Sequence, residues 1–449
     1  MTGLPFYFVP LTHDDWEMAR AAARRLPEDA LPELRLDLFP EAEPAELVRS
    51  LKGRCLVTCR RAAEYGQHTG TEQERVERLR AALEERPRWL DWEWDLEVPD
   101  WLEAHRMHVR LLRSVHVAPG VFDLHRRLEN LPDGDAFKWV GHAESLVDNV
   151  PIRHALAWAS DRHLPLSAFL MGPKGLVSRA MQRAWGGAFT YAAPDDGPPA
   201  APGQLPLATM RAWRCHKFHR GHGLCAVLGS PVLHSRGPGY HNPRFQRAFK
   251  DLVYLPLDAA TPQEASAALD GLEVLGASIT APLKESLPEA LGLRGPLNTL
   301  WRRSPGDRWQ GTNTDAEALE AALRELAPGP VLVLGSGGVA HTTLDVLQRL
   351  HRPALALNRR DPLPPEQLGH PVGVIQATSL GMAPEDPLPF PTHLEAVRPT
   401  LRWAVEWVYK EDTAFAAWAR EAGLLLVEGA ALFEAQAEAQ SRRFVAECG

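Results

Sequence analysis

The chain has 449 residues, 45% hydrophobic and 24% charged, which is more than one hydrophobic core usually supports, so two or three domains are expected. A formal net charge of -8 excludes a protein organised around nucleic-acid binding, which needs a broad basic surface. The start at FYFVP and the acidic stretch behind it have neither the basic head nor the apolar run of a signal peptide, and no later run is long and apolar enough to span a bilayer. Five cysteines (Cys55, Cys59, Cys215, Cys225, Cys448) without CxxC spacing fit a reducing, cytoplasmic setting with no membrane partner.

From the N-terminus, eight short apolar or alternating runs follow one another: FYFVPL, ELRLDLF, RCLVTC, RWLDWEWDL, HVRLLRSVHV, AFKWVG, LSAFLMG and AFTYAA. Segments with helical periodicity, such as DDWEMARAAARRL and EQERVERLRAALEE, lie between them. Eight strands alternating with helices predict an α/β fold, a TIM (β/α)8 barrel over residues 1–217. In ELRLDLF a period of two puts Glu33, Arg35 and Asp37 on one strand face, and in LDWEWDL it does the same for Asp91, Glu93 and Asp95. Charges lining a barrel must pair with each other or meet a polar ligand. His116 ends the fifth run and Lys138 lies in the sixth, so an imidazole and an amine are expected in one pocket. A lysine beside other cations has its neutral form favoured, and only that form attacks a ketone to give an imine; histidine moves protons both ways near neutrality.

The stretch DDGPPAAPGQLP and then RCHKFHRGHG read as a junction near residue 220. Cys215, His216, His219 and His222 match no familiar metal-ligand spacing, and no metal is expected. Alternating strands and helices resume at LCAVLG, and PVLVLGSGGVA opens a nucleotide-binding unit, giving an α/β substrate domain over residues 224–322, completed by 428–449, and a Rossmann domain over 323–427. The GxGGxA turn permits close approach of backbone to a pyrophosphate at a helix start. One helix later, LALNRR offers Arg359 and Arg360 where an NAD site carries an acid, which favours the 2′-phosphate of NADP(H). Lys284 in SITAPLKE and Asp315 in TNTDAEAL each close a strand-to-loop segment, and together suit carbonyl reduction, in which a cationic donor relieves charge developing on oxygen.

Residues 1–215 resemble type I dehydroquinate dehydratases. ELRLDLF is similar to their ExRxD strand, VTCRRAAEYG to TxR…EGG, SVH to the strand end holding the catalytic histidine, FKWVGHAES to the segment holding the imine lysine, and MGPKGLVSR and APGQ to the late MGxxGxxSR and APGQ signatures. The resemblance implies that Lys138 forms an imine with 3-dehydroquinate, that His116 moves the adjacent proton, that Arg179 holds the carboxylate, and that Glu33, Arg35, Arg60 and Gln204 bind hydroxyls or orient the catalytic pair. Tyr65 stands at one glycine of the EGG loop, and Ala200 where many relatives have serine.

Residues 224–449 resemble shikimate dehydrogenases: LGSPVLHSRGPGYHN is similar to GxPxxHSxSPxxHN, SITAPLK to VTxPxK, LNTL to AxNT, TNTD to NTDxxG, QATSLGM to NATxxGM, EWVYKEDT to DxVYxPxxT and EGAALFEAQ to GxxMLxxQ. This resemblance implies Lys284 and Asp315 in proton transfer, and Ser235, Thr280, Asn298, Tyr409 and Gln436 around the substrate. It also implies Gly335, Gly337, Gly338, Asn358, Arg359 and Arg360 at NADP, and Gly429 at the nicotinamide. Gly237 replaces the second serine of the carboxylate-binding SxS pair and opens space beside the carboxylate-bearing carbon, which makes quinate an alternative substrate. Glu406 for Asp, Gln376 for Asn and Leu432 for Met are further departures. The expected function is dehydration of 3-dehydroquinate to 3-dehydroshikimate, then reduction to shikimate, with quinate/dehydroquinate interconversion or a non-catalytic metabolite sensor as alternatives.

Overall fold

The computed structural model describes residues 4–295, 297–358, 370–383, 385–410 and 412–449. The chain divides into two compact units, Met1–Leu275 and Gly276–Cys448.

The eight runs of the first half become eight strands: β1 (Tyr7–Pro10), β2 (Ala30–Arg35), β3 (Leu56–Thr58), β4 (Trp89–Glu93), β5 (Arg110–His116), β6 (Ala136–His142), β7 (Leu166–Met171) and β8 (Thr190–Tyr191). Their order is β7-β6-β5-β4-β3-β2-β1-β8, with every pairing parallel. Where the sheet's ends meet, the Ala188 amide donates to the Leu166 carbonyl at 2.9 Å, so the barrel is nearly closed. Its interior is packed by large side chains, among them Phe8, Trp89, Phe169 and Phe189. The two periodic spacers form helices Trp16–Arg25, capped by Asp15, and Glu72–Leu83, where Thr71 and Glu74 make a reciprocal capping box, satisfying amides that the first turn leaves without partners.

Two strands end sooner than their alternation predicts. β2 stops at Arg35, and Leu36–Leu38 forms a 3-10 turn, because Asp37 folds back to take both Arg35 Nε and Nη2, at 2.8 and 2.5 Å. β4 likewise stops at Glu93, and Asp95 pairs with Arg61 at 2.8 Å.

The second sheet contains β9 (Gly223–Gly229), β10 (Leu252–Asp258), β11 (Val274–Ile279), β12 (Thr299–Trp301) and β13 (Gln310–Thr312), in the order β10-β9-β11-β12-β13. The third contains β14 (Val331–Leu334), β15 (Ala354–Leu357), β16 (Gly373–Gln376), β17 (Trp403–Glu406) and β18 (Leu425–Val427), in the order β15-β14-β16-β17-β18, all parallel. All three central strands are buried on both faces: β14 is a continuous apolar run, as in parallel sheets, while β16 and β17 are apolar until their last residues, Gln376 and Glu406. The last helix, Gly429–Glu447, packs against helix Thr314–Arg324 and β12. Among the described residues no helix is long and apolar enough to cross a membrane.

Candidate active sites

Glu33, Arg60, His116, Lys138, Arg179 and Gln204 all line one cavity at the end of the barrel. The parallel register explains part of this convergence. Lys138 pairs with Ser114 on β5 and Ser167 on β7, and His116 pairs with Val140 on β6, so the lysine and the histidine lie two residue levels apart on adjacent strands.

Lys138 is buried, with its Nζ 2.9 Å from Asp91 Oδ2, 3.2 Å from the Tyr191 hydroxyl and 3.9 Å from Glu33 Oε1. Its nearest charged neighbours are therefore carboxylates rather than the cations expected from sequence. Burial, with Glu33 and Asp91 nearby, pushes the Tyr191 phenol well above its usual range, so it stays protonated. His116 is fixed by Glu64, whose Oε2 accepts the His116 backbone N–H at 3.1 Å and lies 3.0 Å from its Nδ1. A proton on Nδ1 directed at that carboxylate leaves Nε2 as the nitrogen for chemistry. Burial, reinforced by Arg60, Lys138, Arg35 and Arg179, holds the imidazole well below its usual pKa, so it is neutral, in its proton-accepting form, near neutrality.

Arg179 is 3% exposed, its guanidinium 4.3 Å over the Phe169 ring, and its Nε and Nη2 have no protein partner. Burial lowers it to about 9, which still leaves it cationic at neutral pH with donors available to an anion. Arg60 reaches Glu33 at 3.4 Å. Arg35 does not line the cavity; its fork is engaged by Asp37. Gln204 accepts the Ala200 amide at 2.8 Å, which closes the segment along the rim. Gly203 has φ +77, and a Cβ there would lie 2.3 Å from the Gly172 carbonyl, so only glycine lets the two loops touch. Tyr65 has φ 64, a conformation suited to the glycine of relatives; its ring instead lies on His142 and its hydroxyl 3.1 Å from Nε2 of that histidine.

In the second unit, Lys284 Nζ donates to Asp315 Oδ2 at 2.6 Å. Asp315 opens helix Thr314–Arg324, which Asn313 caps by accepting the Ala316 amide. Asn298 Oδ1 collects the Thr314 amide at 2.8 Å and the Thr299 and Thr314 hydroxyls at 2.9 and 3.1 Å, which leaves Nδ2 for a ligand. Gln436 Oε1 is 3.5 Å from Thr314 Oγ1, and one turn further Gln440 accepts the Ser278 hydroxyl at 2.9 Å. The Tyr409 and Phe433 rings lie 5.4 Å apart, tilted by 37°. Thr280 follows β11, and its carbonyl accepts the Leu283 amide.

Gly335 has φ +122 directly after β14, and Gly337 caps helix Gly338–Arg349. A Cβ at Gly337 would meet nothing within 4 Å, and one at Gly338 only Glu285 Oε1 at 4.0 Å, so the helix start is open to a phosphate-sized group. Asn358 follows β15 and is exposed; Arg359 and Arg360 lie outside the described residues. Gly429 begins the last helix where a Cβ would lie 2.2 Å from the Val408 carbonyl. Gln376 closes the following turn through the Thr378 amide and Leu380 carbonyl. Glu406 accepts the Thr413 hydroxyl at 2.7 Å and the Val408 amide at 3.1 Å; Leu432 is buried in the core beneath β14 and β16.

In the first unit, Ser235 Oγ accepts the Gly237 amide at 3.1 Å. The space that the missing side chain at 237 was expected to open is filled: a Cβ there would lie 2.6 Å from Tyr254 Cε1. The smaller residue makes room for the tyrosine ring rather than for substrate.

His219, His222 and Asp251 are the one group of three potential metal-ligating residues among those described, and Cys215 is buried apart from it. Arg214, Lys217 and Lys250 line the same depression, and their charge opposes a cation.

Three groups in contact with His116 or Lys138 were not singled out as functional from sequence. Glu64 lies inside VTCRRAAEYG, but nothing in its spacing marks it as the partner of a histidine 52 positions away. Asp91 was legible as a strand charge, and Tyr191 only as an apolar strand residue.

Residues 7–214 match the family described as type I 3-dehydroquinase, and residues 227–293 match the shikimate dehydrogenase substrate binding domain. Among solved structures, the chain is similar to dehydroquinate dehydratase and shikimate dehydrogenase from S. pombe AroM (21% identity, 99% of this chain and 96% of that chain, TM-score 0.41). It is also similar to shikimate dehydrogenase from Aquifex aeolicus (23%, 49% and 91%, 0.42) and to shikimate 5-dehydrogenase from Listeria monocytogenes in complex with shikimate and NAD (18%, 51% and 94%, 0.42). One polypeptide thus carries a type I 3-dehydroquinase domain at residues 7–214 and, after it, a shikimate dehydrogenase substrate binding domain at residues 227–293.

Proposed function

We propose that the barrel dehydrates 3-dehydroquinate through an imine on Lys138 and that the second half reduces the product, 3-dehydroshikimate, to shikimate with NADPH. The observation that carries the first step is the meeting of Lys138, His116 and Arg179 in one buried cavity. Arg179 holds the substrate carboxylate through its two unpartnered donors, since a buried guanidinium gains most from a bidentate anion. Asp91, 2.9 Å away, takes the proton that Lys138 must lose before its nitrogen attacks the ring ketone. The ketone oxygen leaves as water to give the imine, which draws electrons from the neighbouring carbon; His116 Nε2 removes a proton there, and the same nitrogen returns it to the departing hydroxyl, which leaves as another water. An incoming water hydrolyses the imine and restores the amine.

For the reduction, the residues present fit a dinucleotide: an open helix start at Gly337 and Gly338 for the pyrophosphate, Asn358 and the Arg359 and Arg360 pair in sequence after β15 for the ribose phosphate, and a close-packed turn at Gly429 for the nicotinamide. When bound, the nicotinamide supplies a hydride to the carbonyl carbon. Lys284 delivers a proton to the carbonyl oxygen, and Asp315, 2.6 Å away, fixes that donor. Asn298, Thr280, Tyr409 and Gln436 hold the ring in the second unit.

The test supplies purified protein with 3-dehydroquinate and NADPH, following NADPH absorbance and separating the products. Dehydroshikimate followed by shikimate is expected, and borohydride in the presence of substrate leaves a mass adduct on the Lys138 peptide. Direct conversion to quinate, or an adduct elsewhere, overturns the assignment.

A further inference from the structure

We infer that Glu264, which belongs to the dehydrogenase half, positions the loop of the dehydratase that carries Arg179. Glu264 stands in the first turn of helix Pro262–Gly271, whose cap is Thr261. Its Oε1 accepts the Leu146 amide at 3.2 Å and an ammonium hydrogen bond from Lys174. The pair is largely shielded, with the glutamate side chain 13% and the lysine 30% exposed, so it is stronger than an open surface ion pair.

Lys174 occupies the turn Pro173–Gly175, directly between β7, whose last residue lines the dehydratase cavity, and helix Leu176–Ala180, which carries Arg179. Two further links fix that turn. Asn149 Nδ2 donates to both the Leu146 and Lys174 carbonyls at 2.9 Å, and Gly172 donates to the Pro202 carbonyl at 3.0 Å. Through the second link, the turn also holds the segment that brings Ala200, Ala201 and Gln204 to the cavity. The helix bearing Glu264 is itself anchored to the barrel at its far end, where Glu273 pairs with Arg153 and Gly271 packs against Val150. The turn and the Arg179 helix both lie against β10 of the dehydrogenase sheet. One carboxylate from the second enzyme thus sits behind the anion-binding arginine of the first.

Arg179 is assigned above to a carboxylate that is present in substrate and transition state alike, and the inference rests on that reading. Loosening its support removes binding common to both, which raises KM and leaves kcat nearly unchanged. In the full-length protein, Glu264→Ala and Lys174→Ala are each expected to raise the dehydratase KM for 3-dehydroquinate about threefold to tenfold, the range for losing a partly buried charged hydrogen bond. The double variant adds little further, because the two side chains act as one unit. Lys174→Arg, which keeps the charge and donors, retains most of the wild-type KM, and the dehydrogenase constants stay unchanged throughout. A dehydratase KM unchanged in both alanine variants overturns the inference, and so does a parallel change in both reactions, which would report general misfolding. If Glu264→Ala fails to fold, Glu264→Gln with Lys174→Ala gives the same reading. Arg179→Met separates the two claims: an unchanged KM there sinks the carboxylate assignment, whereas a raised KM with no effect from Glu264 or Lys174 sinks only the positioning role.

Discussion

Glu64 Oε2 contacts His116 twice, at the backbone amide (3.1 Å) and at Nδ1 (3.0 Å). One carboxylate oxygen therefore fixes both where the ring stands and which nitrogen carries its proton. Glu64→Gln keeps the shape but loses the charge that stabilises the imidazolium formed during proton transfer. The dehydratase kcat is expected to fall about tenfold to hundredfold, a share of the usual worth of general acid–base catalysis, with little change in KM. A steady-state assay of dehydroshikimate formation decides it; an unchanged kcat removes Glu64 from the mechanism.

The pH profile of the dehydratase follows from the same cluster. Burial and four surrounding cations hold His116 well below 6.5, so its neutral, proton-accepting form persists as pH falls through the range where an ordinary histidine is lost. The rate is expected to stay flat from pH 7.5 down past 6.5. A halving centred near 6.5 would mean that the ring is not shielded as the structure describes.

Arg179 is a buried cation with two donors lacking protein partners. Arg179→Met should therefore stabilise the ligand-free protein by about 1–3 kcal/mol, as replacement of buried charge by apolar volume often does. It should also raise the dehydratase KM at least about thirtyfold, the lower range for losing a desolvated charged contact. Thermal melts and kinetics on the same variant check both signs together.

Gly237 and Tyr254 form a matched pair in the first unit, since a Cβ at 237 meets the tyrosine ring at 2.6 Å. Gly237→Ser, the residue of relatives, is expected to cost about 1–3 kcal/mol by overpacking, and Gly237→Ser with Tyr254→Leu to recover most of it. Equal melting temperatures for the single variant and the parent would show that the ring moves aside freely.

Glu406 is raised to about 7 by burial, against the hydrogen bonds from Thr413 and Val408 that favour its ionised form. Its folded pKa lies above its unfolded value of 4.5, so the native state binds more protons between the two. The stability it contributes is full below 4.5 and is lost as pH rises towards 7. Glu406→Gln removes the titration, so the melting temperature of the variant relative to the parent should climb from pH 5 to pH 8, by up to about 3 kcal/mol in equivalent stability at 1.4 kcal/mol per unit. A difference independent of pH would refute the shift.

Local pattern determined a good deal of this protein. Eight strand runs separated by amphipathic segments specify the barrel, because burial of alternate or continuous apolar residues depends only on near neighbours in sequence. The chemistry of His116, Lys138, Lys284 and Asp315 was legible because the segments holding them resemble known families. The tertiary structure alone decided which groups surround them. Asp91 and Tyr191 reach Lys138 from strands 47 and 53 residues away, and Glu64 reaches His116 across 52, separations that no periodicity encodes. It also decided that Asp37 leaves its strand to hold Arg35, that Tyr254 takes the room at Gly237, and that Lys174 meets a carboxylate 90 positions further on. Those outcomes depend on competition for buried space and for buried charge, and both are settled only when distant elements pack together.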